Sequence, residues 1–313
     1  MEKRQLGNSG LQVSILGLGC NNFGGRLDEA RSIAVIEKAL DLGVTLIDTA
    51  DAYPITTTGT SEEIIGKALG KNRADVVLAT KFGWAMDDSG RNGGSRRYIM
   101  TAVEDSLRRL QTDWIDLYQF HKPDPKTPIE ETLRGLDDLV HQGKVRYIGC
   151  SNFAGWQAVE ATLLARELGG NAFICSQEHY SLLARDIERE VIPALEAYGL
   201  GLLPFFPLAS GLLTGKYRAG GPADGRLSYT DRLADTFMTE RNLGLVERFA
   251  GFCEARGKSL TDLAFAWLLA QKTIPSVIAG ASNDDQLEQN LKAVEWTLTA
   301  EDLAEIEQLA ADN

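Results

Sequence analysis

The chain is poor in the residues that build disulfide frameworks and metal sites. Its four cysteines, Cys20, Cys150, Cys175 and Cys253, lie far apart and form no CxxC pair, and they read as reduced thiols. Its three histidines, His121, His141 and His179, show no HExxH or similar spacing, so no metal site is expected. No apolar run reaches the roughly 18 residues of a membrane span. The opening residues, MEKRQLGNSG, lack the apolar stretch of a secretory signal. A cytoplasmic location without membrane insertion is the expectation. Basic charge is also scarce: 32 Lys and Arg face 44 Asp and Glu, a net charge of −12. That balance argues against a nucleic-acid partner, which needs a basic footprint. It says nothing about assembly, and the oligomeric state is open.

What is present is ordinary globular composition, with 44% hydrophobic and 24% charged residues among 313. Short apolar runs recur at residues 14–18, 44–48, 76–81, 115–121, 145–151, 173–177, 200–207 and 277–281. They have little internal alternation, the pattern of strands buried on both faces of a parallel sheet. Amphipathic stretches of helical length lie between them, at 31–42, from Ser61, and at 98–110, 129–142, 154–168, 187–198, 240–256 and 260–271. Ser61 is placed as an N-cap, Ser95 precedes the third stretch, and Pro128 opens the fourth. Eight strands alternating strictly with eight helices predict a (β/α)8 TIM barrel, residues 1–313 forming one domain. Residues 3–14 add an N-terminal β-hairpin that could plug the barrel floor, and 300–311 an extra C-terminal helix. Two long glycine-bearing connections, 82–97 and 208–239, both follow strands and so fall at the catalytic face.

Polar residues collect at the strand ends. Asp48 ends the second strand, Lys81 the third, His121 the fourth, Ser151 and Asn152 the fifth, and Gln177 the sixth. Alone, Asp48 suits a helix cap, Lys81 a surface amine and His121 a structural histidine. Together they converge on one barrel mouth, with Tyr53 in the loop after Asp48. Asp, Lys, Tyr and His at one mouth suit proton delivery to a carbonyl. An ammonium favours the phenolate of a nearby tyrosine, so Tyr53 becomes a general acid tuned by Lys81, with Asp48 fixing the lysine. His121 donates to the carbonyl oxygen as charge develops there. Reduction also needs a hydride source, hence a cofactor. The segment Gly17-Leu18-Gly19-Cys20-Asn21-Asn22 begins like a dinucleotide fingerprint but lacks the third glycine and an immediate helix. Asn21 and Phe23 after the first strand, and Trp84 after Lys81, are the candidate substrate-pocket residues.

Five motifs resemble the aldo-keto reductase family: Asp48-Thr49-Ala50-Asp51-Ala52-Tyr53, Ala79-Thr80-Lys81, Asp116-Leu117-Tyr118-Gln119-Phe120-His121, Gly149-Cys150-Ser151-Asn152-Phe153, and the run from Phe206 to Tyr217. The resemblance covers essentially the whole chain. It implies a barrel that binds NADP(H) without a Rossmann domain and reduces an aldehyde or ketone through Asp48, Tyr53, Lys81 and His121. It implies that Ser151, Asn152 and Gln177 hold the nicotinamide carboxamide and that Phe205 stacks on its ring. Phe206, Pro207, Leu208, Ala209 and Ser210 would also meet the cofactor. The segment Gly280-Ala281-Ser282 through Asn290 contains no base and is similar to the potassium-channel β-subunit branch. By that match Ser282 and Gln286 meet the 2′-phosphate, Gln289 and Asn290 the adenine, and Lys216 and Arg226 the phosphates. NADP(H) is favoured, with NAD(H) an alternative. A rival reading is a cofactor-sensing protein of the channel β-subunit type with weak reductase activity. A third is a lyase using Lys81 as a Schiff-base nucleophile, which a neighbouring carboxylate disfavours.

Overall fold

The computed structural model describes residues 1–86, 90–218, 226–228 and 230–311, the side chain of Arg226 excepted. The chain opens with an antiparallel hairpin of β1 (Lys3–Gln5) and β2 (Gln12–Ser14), with Lys3 opposite Ser14. Eight parallel strands follow: β3 (Leu16–Gly19), β4 (Leu46–Asp48), β5 (Val77–Phe82), β6 (Ile115–Phe120), β7 (Val145–Ser151), β8 (Cys175–His179), β9 (Gly201–Phe205) and β10 (Val277–Ala279). They lie side by side in the order β10-β3-β4-β5-β6-β7-β8-β9, a nearly closed barrel. Each corresponds to one of the eight apolar runs.

The helices α1 (Glu29–Asp41), α2 (Thr60–Leu69), α3 (Arg96–Leu110), α4 (Ile129–His141), α5 (Gly155–Glu167) and α6 (Val191–Tyr198) each join consecutive strands. The alternation expected from the sequence then breaks. Three helices, α7 (Asp231–Phe237), α8 (Glu240–Glu254) and α9 (Leu260–Leu269), all precede β10. The barrel's eighth helix is α10 (Asp284–Ala293), and α11 (Ala300–Ala311) is the extra C-terminal one. The stretch from 187 to 198 is not one helix either. A 3-10 turn spans Asp186–Arg189, and α6 starts afresh at Val191. Pro193 explains the restart, because it has no N–H to give the carbonyl of residue 189 and its ring would crowd that oxygen. Placed in the first turn of α6, it leaves no intrahelical bond unmade. Ser61 is not a cap: Gly59 holds the N-cap position of α2. Ser61 instead donates to the Cys20 carbonyl at 2.9 Å and shares a 2.8 Å hydrogen bond with Thr49, tying two loops.

Two apolar cores result. The larger lies between barrel and helices. The smaller lies inside the barrel, where Leu46, Ala79, Leu117, Cys175, Leu203 and Ile278 point inward and Leu6 and Val13 of the hairpin segment close the floor. The hairpin sits so close beneath the strands that a Cβ on Gly7 would stand 2.2 Å from the Ile174 carbonyl oxygen. Gly7 also has φ of +55°, so the plug has room only for glycine there.

Candidate active site

Side chains along a strand point alternately in and out, so residues two apart share a face. Two positions beyond the apolar floor, the inward residues are Asp48, Lys81, Gln119, Gln177, Phe205 and Gly280. The barrel interior therefore turns from apolar to polar within one layer. Gly149 on β7 makes space there, since a Cβ on it would lie 2.8 Å from Cys175 Sγ.

Lys81 is fully buried. Its Nζ donates to Asp48 Oδ2 at 2.7 Å and to the Thr49 carbonyl at 2.8 Å. Asp48 Oδ1 accepts from Gln177 Nε2 at 3.0 Å and Gln119 Nε2 at 3.2 Å. Burial works against the Lys81 charge, but the fields of Asp48 and Tyr53 and the hydrogen bond to Asp48 outweigh it and raise the lysine above its ordinary pKa. Lys81 is thus a held cation rather than a free amine, which disfavours Schiff-base chemistry.

The loop after β4 lays Tyr53 over this cation. Thr49 N–H donates to the Ala79 carbonyl at 2.9 Å and Asp51 N–H to the Lys81 carbonyl at 3.0 Å, which bind the loop to β5. Lys81 Nζ then stands 5.3 Å from the Tyr53 ring centroid. The loop's outer side rests on a buried polar group. Glu62 accepts from Thr80 Oγ1 at 2.6 Å and from Arg109 Nε at 2.7 Å. Asp51, fully buried beside them, makes no hydrogen bond of good geometry through either carboxyl oxygen among the described residues. Burial, then Glu62, push its pKa well up.

His121 meets Tyr53 edge to face at 5.7 Å and stacks on Trp84 at 5.0 Å. Burial, then Lys81 and Lys122, hold its pKa well below the usual histidine value, so the ring is neutral near pH 7. His121 Nδ1 and Trp84 Nε1 are buried without a hydrogen-bond partner among the described residues. Asp48, Tyr53, Lys81, His121 and Trp84 are therefore brought together.

Around this centre, Ser151 Oγ donates to the Gln177 carbonyl at 2.7 Å, and Asn152 Nδ2 donates to the His121 carbonyl at 2.9 Å. Asn152 has φ of +60° and is exposed. Beyond β9 the backbone turns left-handed at Phe206, Ala209 and Ser210, with φ of +55°, +47° and +56°. Ser210 Oγ is buried without a hydrogen-bond partner among the described residues. His179 stacks on Phe205 at 5.5 Å and meets Phe206 and Phe237 edge-on. Pro207 is buried and Leu208 half-buried. Lys216 is exposed, its Nζ 5.1 Å from the Tyr217 ring centroid, while the Arg226 side chain lies outside the described residues. Gly280 ends the barrel beside β3, with Asn22 Nδ2 3.8 Å from where its Cβ would stand. Ser282 donates through N–H and Oγ to Gln286 Oε1, both at 2.8 Å, at the start of α10. Gln289 is exposed and Asn290 buried. Asn21 is half-buried after β3.

Phe23 departs from expectation. It is fully buried in the larger core and lines no open space, because its loop folds back through a bridge to Leu27. Sequence reasoning missed Gln119, Glu178 and His179. Gln119 carried a usable signal, lying two residues before His121 on one strand face. Among the described residues no group of His, Cys, Asp and Glu is arranged to hold a metal ion.

Comparison with known proteins places this geometry in context. The profile of the aldo/keto reductase family matches residues 15–311. An uncharacterized oxidoreductase of Bacillus subtilis (strain 168) is 39% identical over 310 residues, 96% of this chain and 93% of that protein. A probable voltage-gated potassium channel subunit beta of Oryza sativa subsp. japonica is 37% identical over 303 residues, 94% and 92% of the two chains. An L-glyceraldehyde 3-phosphate reductase of Escherichia coli (strain K12) is 35% identical over 326 aligned positions, 100% of this chain and 93% of that one.

Proposed function

The chain belongs to the aldo/keto reductase family, and from that premise we propose that it is an NADPH-dependent reductase of aldehydes or ketones with Tyr53 as its proton donor. The observation that carries the proposal is the buried Lys81–Asp48 pair beneath Tyr53. A cation held 5.3 Å from the ring centroid stabilises the phenolate left after proton transfer, which makes the hydroxyl a better acid at neutral pH. Asp48 keeps Lys81 charged, and Gln119 and Gln177 keep Asp48 oriented. Neutral His121 offers a ring N–H to the substrate oxygen and fixes the carbonyl beside the Tyr53 hydroxyl. Trp84 stacks on that imidazole and forms one wall of the substrate pocket, with Asn21 on another.

A reduced nicotinamide, when bound, supplies the hydride that none of these side chains can provide. The residues present suit it. Ser151, Asn152 and Gln177 offer a hydroxyl and two amides at one edge of the mouth, a donor and acceptor set matched to a carboxamide. Phe205 offers an aromatic face, and the buried Ser210 Oγ, in the turn that would meet the pyrophosphate, lacks a partner among the described residues. Ser282 and Gln286 supply neutral hydrogen-bonding groups for a 2′-phosphate, Gln289 and Asn290 flank the adenine, and Lys216 and Arg226 supply charge. The protein is read as one cytoplasmic domain, where its four buried, free thiols stay reduced.

Intrinsic fluorescence of the five tryptophans, titrated with NADPH and with NADH, tests the cofactor assignment, and an aldehyde panel followed at the reduced-nicotinamide absorbance tests turnover. Tight NADPH binding with oxidation on aldehyde addition supports the proposal. Binding without turnover on any carbonyl moves the weight to a cofactor-sensing role. The similarity to the rice channel subunit favours that second reading, and co-purification with a membrane partner would support it.

A further inference from the structure

Glu178 takes no part in the proton relay, yet it is nine-tenths buried at the mouth of the barrel. It points outward from β8, on the face opposite Gln177. Its Oε1 accepts from Phe153 N–H at 3.0 Å and from Ser176 Oγ at 2.5 Å. Cys150 Sγ donates in turn to Ser176 Oγ at 3.3 Å. The carboxylate therefore clamps the turn leaving β7 onto β8. That turn carries Asn152, a non-glycine residue in the left-handed region, which must be held there by its surroundings. Asn152 N–H donates to the Gln177 carbonyl at 3.2 Å, and its side chain reaches the carbonyl of His121. One buried carboxylate thus sits behind both the amide edge of the mouth and the backbone of the histidine.

We propose that Glu178 is a positioning residue whose ionised form locks the Ser151–Asn152–Phe153 turn into its nicotinamide-holding conformation, so that cofactor affinity depends on the charge of Glu178. The inference rests on the proposed cofactor site. Its chemistry is that of acceptor strength. A carboxylate accepts charge-assisted bonds from both Phe153 and Ser176 at Oε1. Protonation at Oε2 leaves Oε1 a neutral carbonyl oxygen, a weaker acceptor for both donors.

The surroundings place this event near neutrality. Burial pushes the pKa of Glu178 up to about 7, against the pull of Ser176 and of the Phe153 and Asn152 amides. On β7 the titratable neighbour is the Cys150 thiol, pushed well up by its own burial. On β9 the residue opposite is Pro204. Glu190, at the head of α6, bonds Trp156 N–H instead. No cation or second carboxylate among the described residues contributes to the shift. His121, beyond Asn152, stays neutral through this range.

The test is the NADPH dissociation constant from pH 6 to pH 8.5 for the full-length protein and for Glu178→Gln. The 2′-phosphate of the nucleotide titrates in the same range, but that contribution is common to both proteins and cancels in their ratio. The wild type should lose about fivefold in affinity as pH falls through 7, beyond the loss in the variant. The variant should bind about fivefold more weakly at pH 8, the difference between a charged and a neutral acceptor. Ser176→Ala, which removes a donor to the charged form and leaves the acid in place, should move the wild-type midpoint upward. It also serves if Glu178→Gln does not fold. Equal pH profiles for wild type and variant, or an unmoved midpoint in Ser176→Ala, would overturn the inference while leaving the cofactor site intact. Failure of the wild type to bind either nucleotide at pH 8 would remove the cofactor site, and the inference with it.

Discussion

Replacing Lys81 by methionine should destabilise the protein by about 3–5 kcal/mol at pH 7. An exposed ion pair would contribute little, because water and salt screen it. Lys81 is fully buried and Asp48 only 4% exposed, so neither has that refuge. Methionine fills most of the space of the lysine stem, which isolates the electrical effect. Asp48 Oδ2 and the Thr49 carbonyl would each lose the Lys81 donor, while Oδ1 would keep Gln119 and Gln177. Urea unfolding at pH 7 measures it, with Asp48→Asn and the double variant completing a cycle. The coupling should be about 2 kcal/mol or more, the double variant recovering much of the loss in stability and none in turnover. A Lys81→Met defect under about 1 kcal/mol would refute the account of the pair.

Three other outcomes are expected. Tyr53→Phe should keep NADPH affinity and lose about 10²–10⁴ in turnover in single-turnover kinetics; retained turnover would remove Tyr53 from the proton-donor role. Lys216→Met should weaken NADPH binding by about tenfold or more, with an effect that fades as salt is added, as expected for an exposed cation; unchanged affinity would show that this loop does not reach the phosphates. Glu178→Gln should change stability oppositely to its effect on binding. Because the native pKa of about 7 lies above the ordinary 4.5, the folded state holds the proton more tightly, and wild-type stability falls as pH rises between those values. The variant should flatten that fall by about 3 kcal/mol between pH 4.5 and pH 8 in urea unfolding, and an equal fall in both proteins would mean that Glu178 is not buried as described.

The barrel was legible because most of its strands open on residues apolar on both faces, so each stands out as a run; β8, Cys175–His179, is the polar exception and was found by the Phe173–Ile174 pair before it. Helix bookkeeping was less legible. Residues 240–254 and 260–269 have good helical patterns, and their position between the runs at 200–207 and 277–281 already set both before β10, which a strict one-to-one alternation overlooked. The segment from Asp284 to Ala293 was read for its polar groups and not for its helix, although Asn283 caps it by accepting from Gln286 N–H. The break before α6 was readable in Pro193.

The catalytic layer was legible for a different reason. A strand that is apolar inside and outside must end its inner face in something, and here Asp48, Lys81 and Gln177 do so two residues beyond Leu46, Ala79 and Cys175. Applied evenly, the same step of two from Leu117 reaches Gln119, which the end-of-strand reading passed over in favour of His121. Parity cannot reach the supports behind that layer. Thr80 and Glu178 point outward, and an outward polar residue on a strand wrapped in helices has the same local sequence whether it is a buried clamp or a tolerated exception. What separates the two is the partner, and Glu62 lies 18 residues from Thr80, while Phe153 lies 25 from Glu178. Those pairings come from the closure of the barrel, which lays α2 on β5 and the end of β7 beside β8. The burial that raises the pKa of Glu178 comes from the same closure, so its local sequence, Ser176-Gln177-Glu178-His179, carries no trace of it.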